Sequence, residues 1–335
     1  MKHAGFARVG RRGLVMAAIA GALMLTTGAY AQNLTLSLGI QESGTAQWEI
    51  ETIKALGLDA KHGLTLELRP VADSKAGQIA LQSGAVDVIL SDFVWVSIQR
   101  NQGNMVTLVP HSLAVGGVMV DPASGIDSVD DLKGKTIAVG GGPVDKSWII
   151  LQAYYASKTG GKLVDDVKAE YGAPPLVNEL LAKGEADASL NFWQWNARAK
   201  AAGMVELLSV KQMLADMGVA DQAPLLGWAF MDTTAEAKTE ALRAFLDASF
   251  EAKQVLLTDD AHWETLKGVM NATDDESLFK QLRDDYRAGI VTAYDPNNTG
   301  AAQASFELMA KYGGAELVGD IPTLAEGTFW KGYSK

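Results

Sequence analysis

Four short apolar runs in this chain end in small or polar residues suited to gripping a small molecule. They are Glu42, Ser43 and Gly44; Ser91 and Asp92; Gly141 and Gly142; and Asn191 with Gln194. Where a buried strand gives way to a helix, the free backbone N–H groups of the helix start can hold an anionic head, sulfonate or carboxylate, without any arginine. Glu42 and Asp92 pull the other way, since a carboxylate in a cleft prefers N–H donors or a cation. Acids at helix starts also serve simply as caps and suit the positive dipole end. Tryptophan is the other unusual ingredient, with eight in the chain. Trp48, Trp95, Trp193 and Trp228, together with Trp148 and Trp195, follow strand exits or stand beside a chain crossing. Such rings can wall a small-molecule site around a ring or alkyl body, and can equally fill helix–sheet cores. At least two of them are expected in the cleft.

The elements that must position these residues show themselves as a repeat. Leu81, Gly84, Asp87, Leu90 and Trp95 recur as Leu181, Gly184, Asp187, Leu190 and Trp195. Each copy reads as a helix end, a glycine turn, a buried strand (Val86 to Leu90, Ala186 to Leu190) and a polar or aromatic exit. Asp87 and Asp187 are expected to hold the turns, and the exits to hold ligand, because open α/β sheets bind at the carboxyl ends of their strands. Further strands are expected at 34–40, 64–68, 105–109, 117–120, 135–139, 166–171, 204–208 and 226–231. Amphipathic stretches between them mark β-α units on parallel sheets. From Thr234 onward the spacing of Leu242, Phe245, Leu246, Phe250 and Leu257 is helical. Crossings near His111 to Val115 and Gln222 to Gly227 divide the chain into a discontinuous first lobe, 32–112 and 225–335, and an inserted second lobe, 113–224. His111 beside the first crossing is expected to have a hinge or surface role.

Length and composition agree with two packed lobes: 335 residues and 48% apolar content are ample for two cores. Residues 1–31 resemble an export signal, with Lys2, Arg8, Arg11 and Arg12 before an apolar run and Ala29-Tyr30-Ala31 as the cleavage site. Arg11-Arg12 leaves general secretion and twin-arginine export both open. Cleavage removes four basic residues and no acidic one, moving the charge from −11 to −15. Nucleic acid is a poor partner for so acidic a chain. The absence of cysteine excludes disulfides, thiolate metal sites, Cys nucleophiles and a lipid-modified N-terminal Cys. Neither a Gly-x-Ser-x-Gly elbow nor HExxH occurs, and Gly140 to Gly142 lacks the Lys-Ser/Thr ending of a phosphate loop. The histidines show no metal-ligand spacing. No catalytic residue, metal or cofactor is expected.

Leu132-Lys133-Gly134-Lys135-Thr136-Ile137-Ala138-Val139, His62-Gly63-Leu64 before the second strand, and Gln82-Ser83-Gly84-Ala85-Val86-Asp87-Val88 resemble type II periplasmic solute-binding proteins. The spacing is most similar to their nitrate, sulfonate, taurine and thiamine-precursor (NMT1/THI5-like) branch. The resemblance implies an α/β fold of two lobes with a two-strand hinge and a helical C-terminal segment packed on lobe 1. It also implies a freely diffusing, monomeric periplasmic component of an ABC importer, whose closed form docks on an inner-membrane permease. The expected solute is a small sulfonate, taurine-like or related organic anion. A nitrogen heterocycle such as a thiamine-pyrimidine precursor is the alternative, as is a periplasmic sensor role. Ligand contacts are expected from Glu42, Ser43, Gly44, Trp48, Ser91, Asp92, Trp95, Gly141, Gly142, Asn191, Trp193, Gln194 and Trp228.

Overall fold

The computed structural model describes Met1 and residues 34–41, 44–219 and 223–335. Residues 2–33, on which the expected export signal and cleavage site fall, together with Glu42, Ser43 and Gln222, lie outside the described residues. Each apolar run expected to be a strand becomes one: β1 (Leu34–Gln41), β2 (Leu64–Val71), β3 (Val88–Asp92), β4 (Val106–Ser112), β5 (Gly117–Val120), β6 (Thr136–Gly140), β7 (Lys168–Gly172), β8 (Ala188–Asn191), β9 (Val205–Ser209) and β10 (Leu226–Met231). They form two five-stranded sheets, ordered β2-β1-β3-β10-β4 and β7-β6-β8-β5-β9.

The sheets are mixed where parallel ones were expected. β10 runs antiparallel to β3 and β4, and β5 antiparallel to β8 and β9. Both are the first strand after the chain passes between sheets, whereas strands joined by a helical crossover run parallel. Gly117, which opens β5, pairs with Asn191 at the end of β8; Leu226, which opens β10, pairs with Asp92 at the end of β3. The chain therefore leaves and enters both sheets at their carboxyl edges, and the two sets of exits meet at the crossings. The first crossing runs tightly against the end of β8: a Cβ on Gly116 would lie 1.7 Å from the Asn191 carbonyl oxygen.

The repeated turns are built alike. Gly84 (φ +74°) and Gly184 (φ +68°) take the left-handed conformation that ends their helices. Asp87 N–H donates to the Ser37 carbonyl (2.9 Å) while its carboxylate accepts from Ser37 N–H (2.8 Å). Asp187 does the same with Thr136, at 2.9 and 2.8 Å. Each aspartate thus clamps the neighbouring parallel strand, a structural role, though one that ties the turn to the next strand rather than holding the glycine turn itself.

In the C-terminal segment the Thr239–Thr258 helix, with Leu242, Phe245 and Leu246 buried, packs against β1 and the Ala46–Ala55 helix on the first sheet. Two of the three later helices reach further than expected. Glu276–Ala288 packs on the Trp193–Ala201 helix that follows β8, and Gly300–Val318 packs on both the Phe93–Asn101 and Lys146–Thr159 helices. Phe279, Leu282 and Tyr286 form the buried stripe that draws the former across. Lys200 adds an ion pair to Asp285 at 3.4 Å. Among the described residues no helix is long and apolar enough to cross a membrane.

Candidate functional site

At the end of β3, Ser91 is buried and its hydroxyl takes a long contact from Gln78 Nε2 (3.4 Å). Asp92 caps the Phe93–Asn101 helix, its Oδ1 accepting from Trp95 N–H at 2.8 Å. Its second oxygen, Oδ2, lies 3.2 Å from Nζ of Lys146, the first residue of the helix that follows β6. The exit loop of the second sheet sets up that contact. Gly141 turns at φ +97° with its N–H on the Gly172 carbonyl (3.0 Å), and the Gly142 carbonyl accepts from Asp145 N–H (2.9 Å). Asp145 Oδ1 then caps its helix on Ser147 N–H (2.9 Å) and Trp148 N–H (3.2 Å).

Three charges thus gather where the two sheets meet. Burial opposes the Lys146 ammonium, but Asp92 and Asp145 outweigh it and hold its pKa above the ordinary lysine value. Burial pushes the Asp145 carboxyl up, helped by the charge of Asp92 and resisted by Lys146 and the two cap N–H groups.

A second group of residues joins the two sheets through aromatic rings. Trp48, from the helix after β1, and Trp193, from the helix after β8, stand edge to face with centroids 5.8 Å apart. Trp263 and Tyr286 complete the cluster at 6.1 and 5.4 Å from Trp48. Trp48 and Trp193 are therefore brought together from the two sheets, as partners of each other, and both are buried. Trp228 lies apart in β10, fully buried between His111 (4.8 Å) and Phe245 (5.2 Å). Trp95 is half-buried against the main core.

The remaining expected residues divide. Gly44 donates its N–H to the Gln41 carbonyl (3.0 Å) at the exit of β1. Asn191 is buried with its amide fully used: Nδ2 donates to the Pro174 carbonyl (2.9 Å) and Asn178 Oδ1 (2.8 Å), and Oδ1 accepts from Phe192 N–H (2.9 Å). Gln194 is half-buried, and its carbonyl accepts from Arg198 (2.8 Å). A cavity of about 140 Å³ opens beside the first crossing, between Leu113–Val115, Trp193, Asn196 and Lys200.

Beneath Trp48 runs a buried ionic network. Glu49 Oε2 is 2.9 Å from Lys253 Nζ and 3.4 Å from His111 Nδ1, while Ser249 donates to Oε1 and accepts from Lys253 (2.7 Å). Burial works against the Glu49 charge, yet Lys253, His111 and Ser249 hold its pKa below the usual value. Burial also pushes the His111 imidazole down to about 4. His111 is therefore a neutral core residue on the hinge strand, not a surface one.

Lys146, Asp145, Tyr286 and Trp263 were not among the expected site residues. For Lys146 a signal existed: a lysine in the first turn of a helix sits at the positive end of the dipole, which disfavours it unless something else holds it there. Among the described residues no group of three His, Cys, Asp or Glu side chains could hold a metal ion.

A family model described as "NMT1/THI5 like" matches residues 54–261. No curated protein matches the sequence. Among solved structures, the chain is similar to the periplasmic aliphatic sulphonate binding protein SsuA from Escherichia coli, with 15% identity and a TM-score of 0.70, covering 89% of this chain and 98% of that one. It is also similar to the alkanesulfonate-binding protein SsuA from Xanthomonas axonopodis pv. citri bound to MOPS, with 18% identity, a TM-score of 0.67 and the same coverage, 89% and 98%. The desulfurization enzyme DSZB shares the fold at 14% identity and a TM-score of 0.59, covering 88% of this chain and 97% of that one. The likeness to these structures is one of fold.

Proposed function

The chain belongs to the NMT1/THI5-like family, and from that premise we propose that it is the periplasmic substrate-binding component of an ABC importer. It captures a small organic solute between two lobes, 32–112 with 225–335 and 113–224, and hands its closed form to a membrane permease. The observation that carries the reading is the contact between strand exits of the two sheets, Asp92 to Lys146 at 3.2 Å. A solute can drive closure only by binding the closed form better than the open one, which requires contact with both lobes. Residues that meet across the crossings supply such contacts. Closure here moves groups that touch rather than groups that react, and no catalytic step is proposed.

The preferred solute is an organic anion of the sulfonate or taurine kind, held by the helix starts after β3 and β6 together with Lys146. A nitrogen heterocycle is the second reading, favoured by the two carboxylates Asp92 and Asp145 and by a cluster of aromatic rings contributed from both sheets. A thermal-shift screen of sulfonates, amines and aminopyrimidines tests the role. The bound solute raises the melting temperature by an amount growing as RT ln(1 + [L]/Kd), and X-ray scattering reports the accompanying closure. A chain that no small solute stabilises or compacts is not a solute-binding protein.

A further inference from the structure

Lys146 stands where helix electrostatics disfavours it, at the positive end of the Lys146–Thr159 helix. Its side chain is half-buried, 31% exposed, and its ion-pair partner Asp92 is 18% exposed. Both nearby carboxylates are already committed through one oxygen to helix N–H groups, Asp92 to Trp95 and Asp145 to Ser147 and Trp148. Helix capping therefore explains one oxygen of each acid, while the lysine is held against the dipole only by the charge of these acids. The pair with Asp92 joins the exit of β3 to the exit of β6, so it exists only while the two sheets stand this close. An ammonium has three N–H donors, and one carboxylate oxygen at 3.2 Å does not exhaust them.

We propose that Lys146 is the residue that takes the anionic head of the solute, and that Asp92 is the built-in anion with which that head competes. The inference rests on the solute-binding reading above and names the specificity-determining pair of the same cleft. A solute anion that reaches Lys146 displaces or shares the Asp92 contact, so only heads that gain further hydrogen bonds from the helix starts bind well. A solute cation is excluded from Lys146 by like charge and must instead take over Asp92. The two substrate classes consequently respond to the same substitutions with opposite sign.

The test is isothermal titration of the full mature chain with ethanesulfonate, n-propylammonium and 4-amino-2-methylpyrimidine, on wild type, Lys146→Met, Asp92→Asn and the double variant. Asn caps helices about as well as Asp, and Met preserves the apolar stem of Lys, so all four proteins should fold; melting curves check this. Ethanesulfonate binding should weaken by at least about tenfold in Lys146→Met and strengthen several-fold in Asp92→Asn. In the double variant the gain from Asp92→Asn should vanish, because there is no ammonium left to compete for. Lys146→Met that binds ethanesulfonate within about twofold of wild type overturns the assignment. If wild type binds propylammonium or the pyrimidine but not ethanesulfonate, the anchor role is overturned while solute binding stands. If wild type binds none of the three probes, both are overturned.

Discussion

The two repeat copies, Leu81 to Trp95 and Leu181 to Trp195, are the same turn used for two purposes. Up to the end of the strand they share one plan: glycine in the left-handed region, aspartate accepting from the adjacent strand's N–H, the same backbone hydrogen bonds from 85 to 80 and 185 to 180. Past the strand they part. Asp92 faces outward across the crossing to Lys146, whereas Asn191 folds inward on Pro174, Asn178 and Phe192. Residues that set register repeat because register is a local problem with one good solution. The exits differ because each must meet a different neighbour.

The copies also rest on different foundations, and the largest expected effects lie there. The first sheet carries the buried Glu49–Lys253–His111 network; near the second copy the corresponding polar contacts are the neutral amides of Asn178 and Asn191. Lys253→Met leaves a buried carboxylate without its cation and should cost about 3–5 kcal/mol in urea unfolding. Asn178→Ala removes neutral hydrogen bonds and should cost about 1–2 kcal/mol. Equal losses would break the contrast between an ionic and a neutral foundation.

The histidine part of the pH response should be confined to the first sheet, since residues 113–224 contain no histidine. Burial keeps His111 neutral down to about 4, against 6.5 for the free side chain. Between those values the unfolded chain binds the extra proton. Stability from this group is therefore complete above about pH 6.5 and falls as pH drops toward 4, by about 3 kcal/mol in all. His111→Gln should remove that component from the pH dependence of the urea midpoint, and an unchanged curve would place the titration elsewhere.

The clamping aspartates offer a finer comparison. Asp87 holds Ser37 N–H and Oγ and also the Lys238 ammonium at 2.7 Å, whereas Asp187 holds Thr136 N–H. Asp87→Ala should cost about 2 kcal/mol and Asp187→Ala about 1 kcal/mol. The smallest expected effect joins the lobes. A Trp48→Ala, Trp193→Ala double-mutant cycle should show about 1 kcal/mol of coupling, read from melting temperatures, and a value near zero would mean that the ring contact does not hold the lobes together.

Much of this was legible along the chain. All the strands and the paired glycine turns follow from apolar runs and turn residues acting over a few neighbours. Strand direction in β5 and β10 was not, because it depends on which edge the chain enters after a crossing rather than on composition. The Trp residues show the same limit. Trp48, Trp193 and Trp228 read alike in sequence, yet two meet each other and the third is sealed against His111 and Phe245.

The sequence by itself determined the two-sheet α/β architecture and which residues stand at the strand exits, since these depend on periodicity and short-range hydrogen bonding. Tertiary structure alone decided which exits carry charge toward each other. The pairing of Asp92 with Lys146, and the four-ring cluster completed by Trp263 and Tyr286 from the C-terminal helices, join segments far apart in the chain. Such contacts are set by how two sheets close on each other, and no local preference encodes that distance.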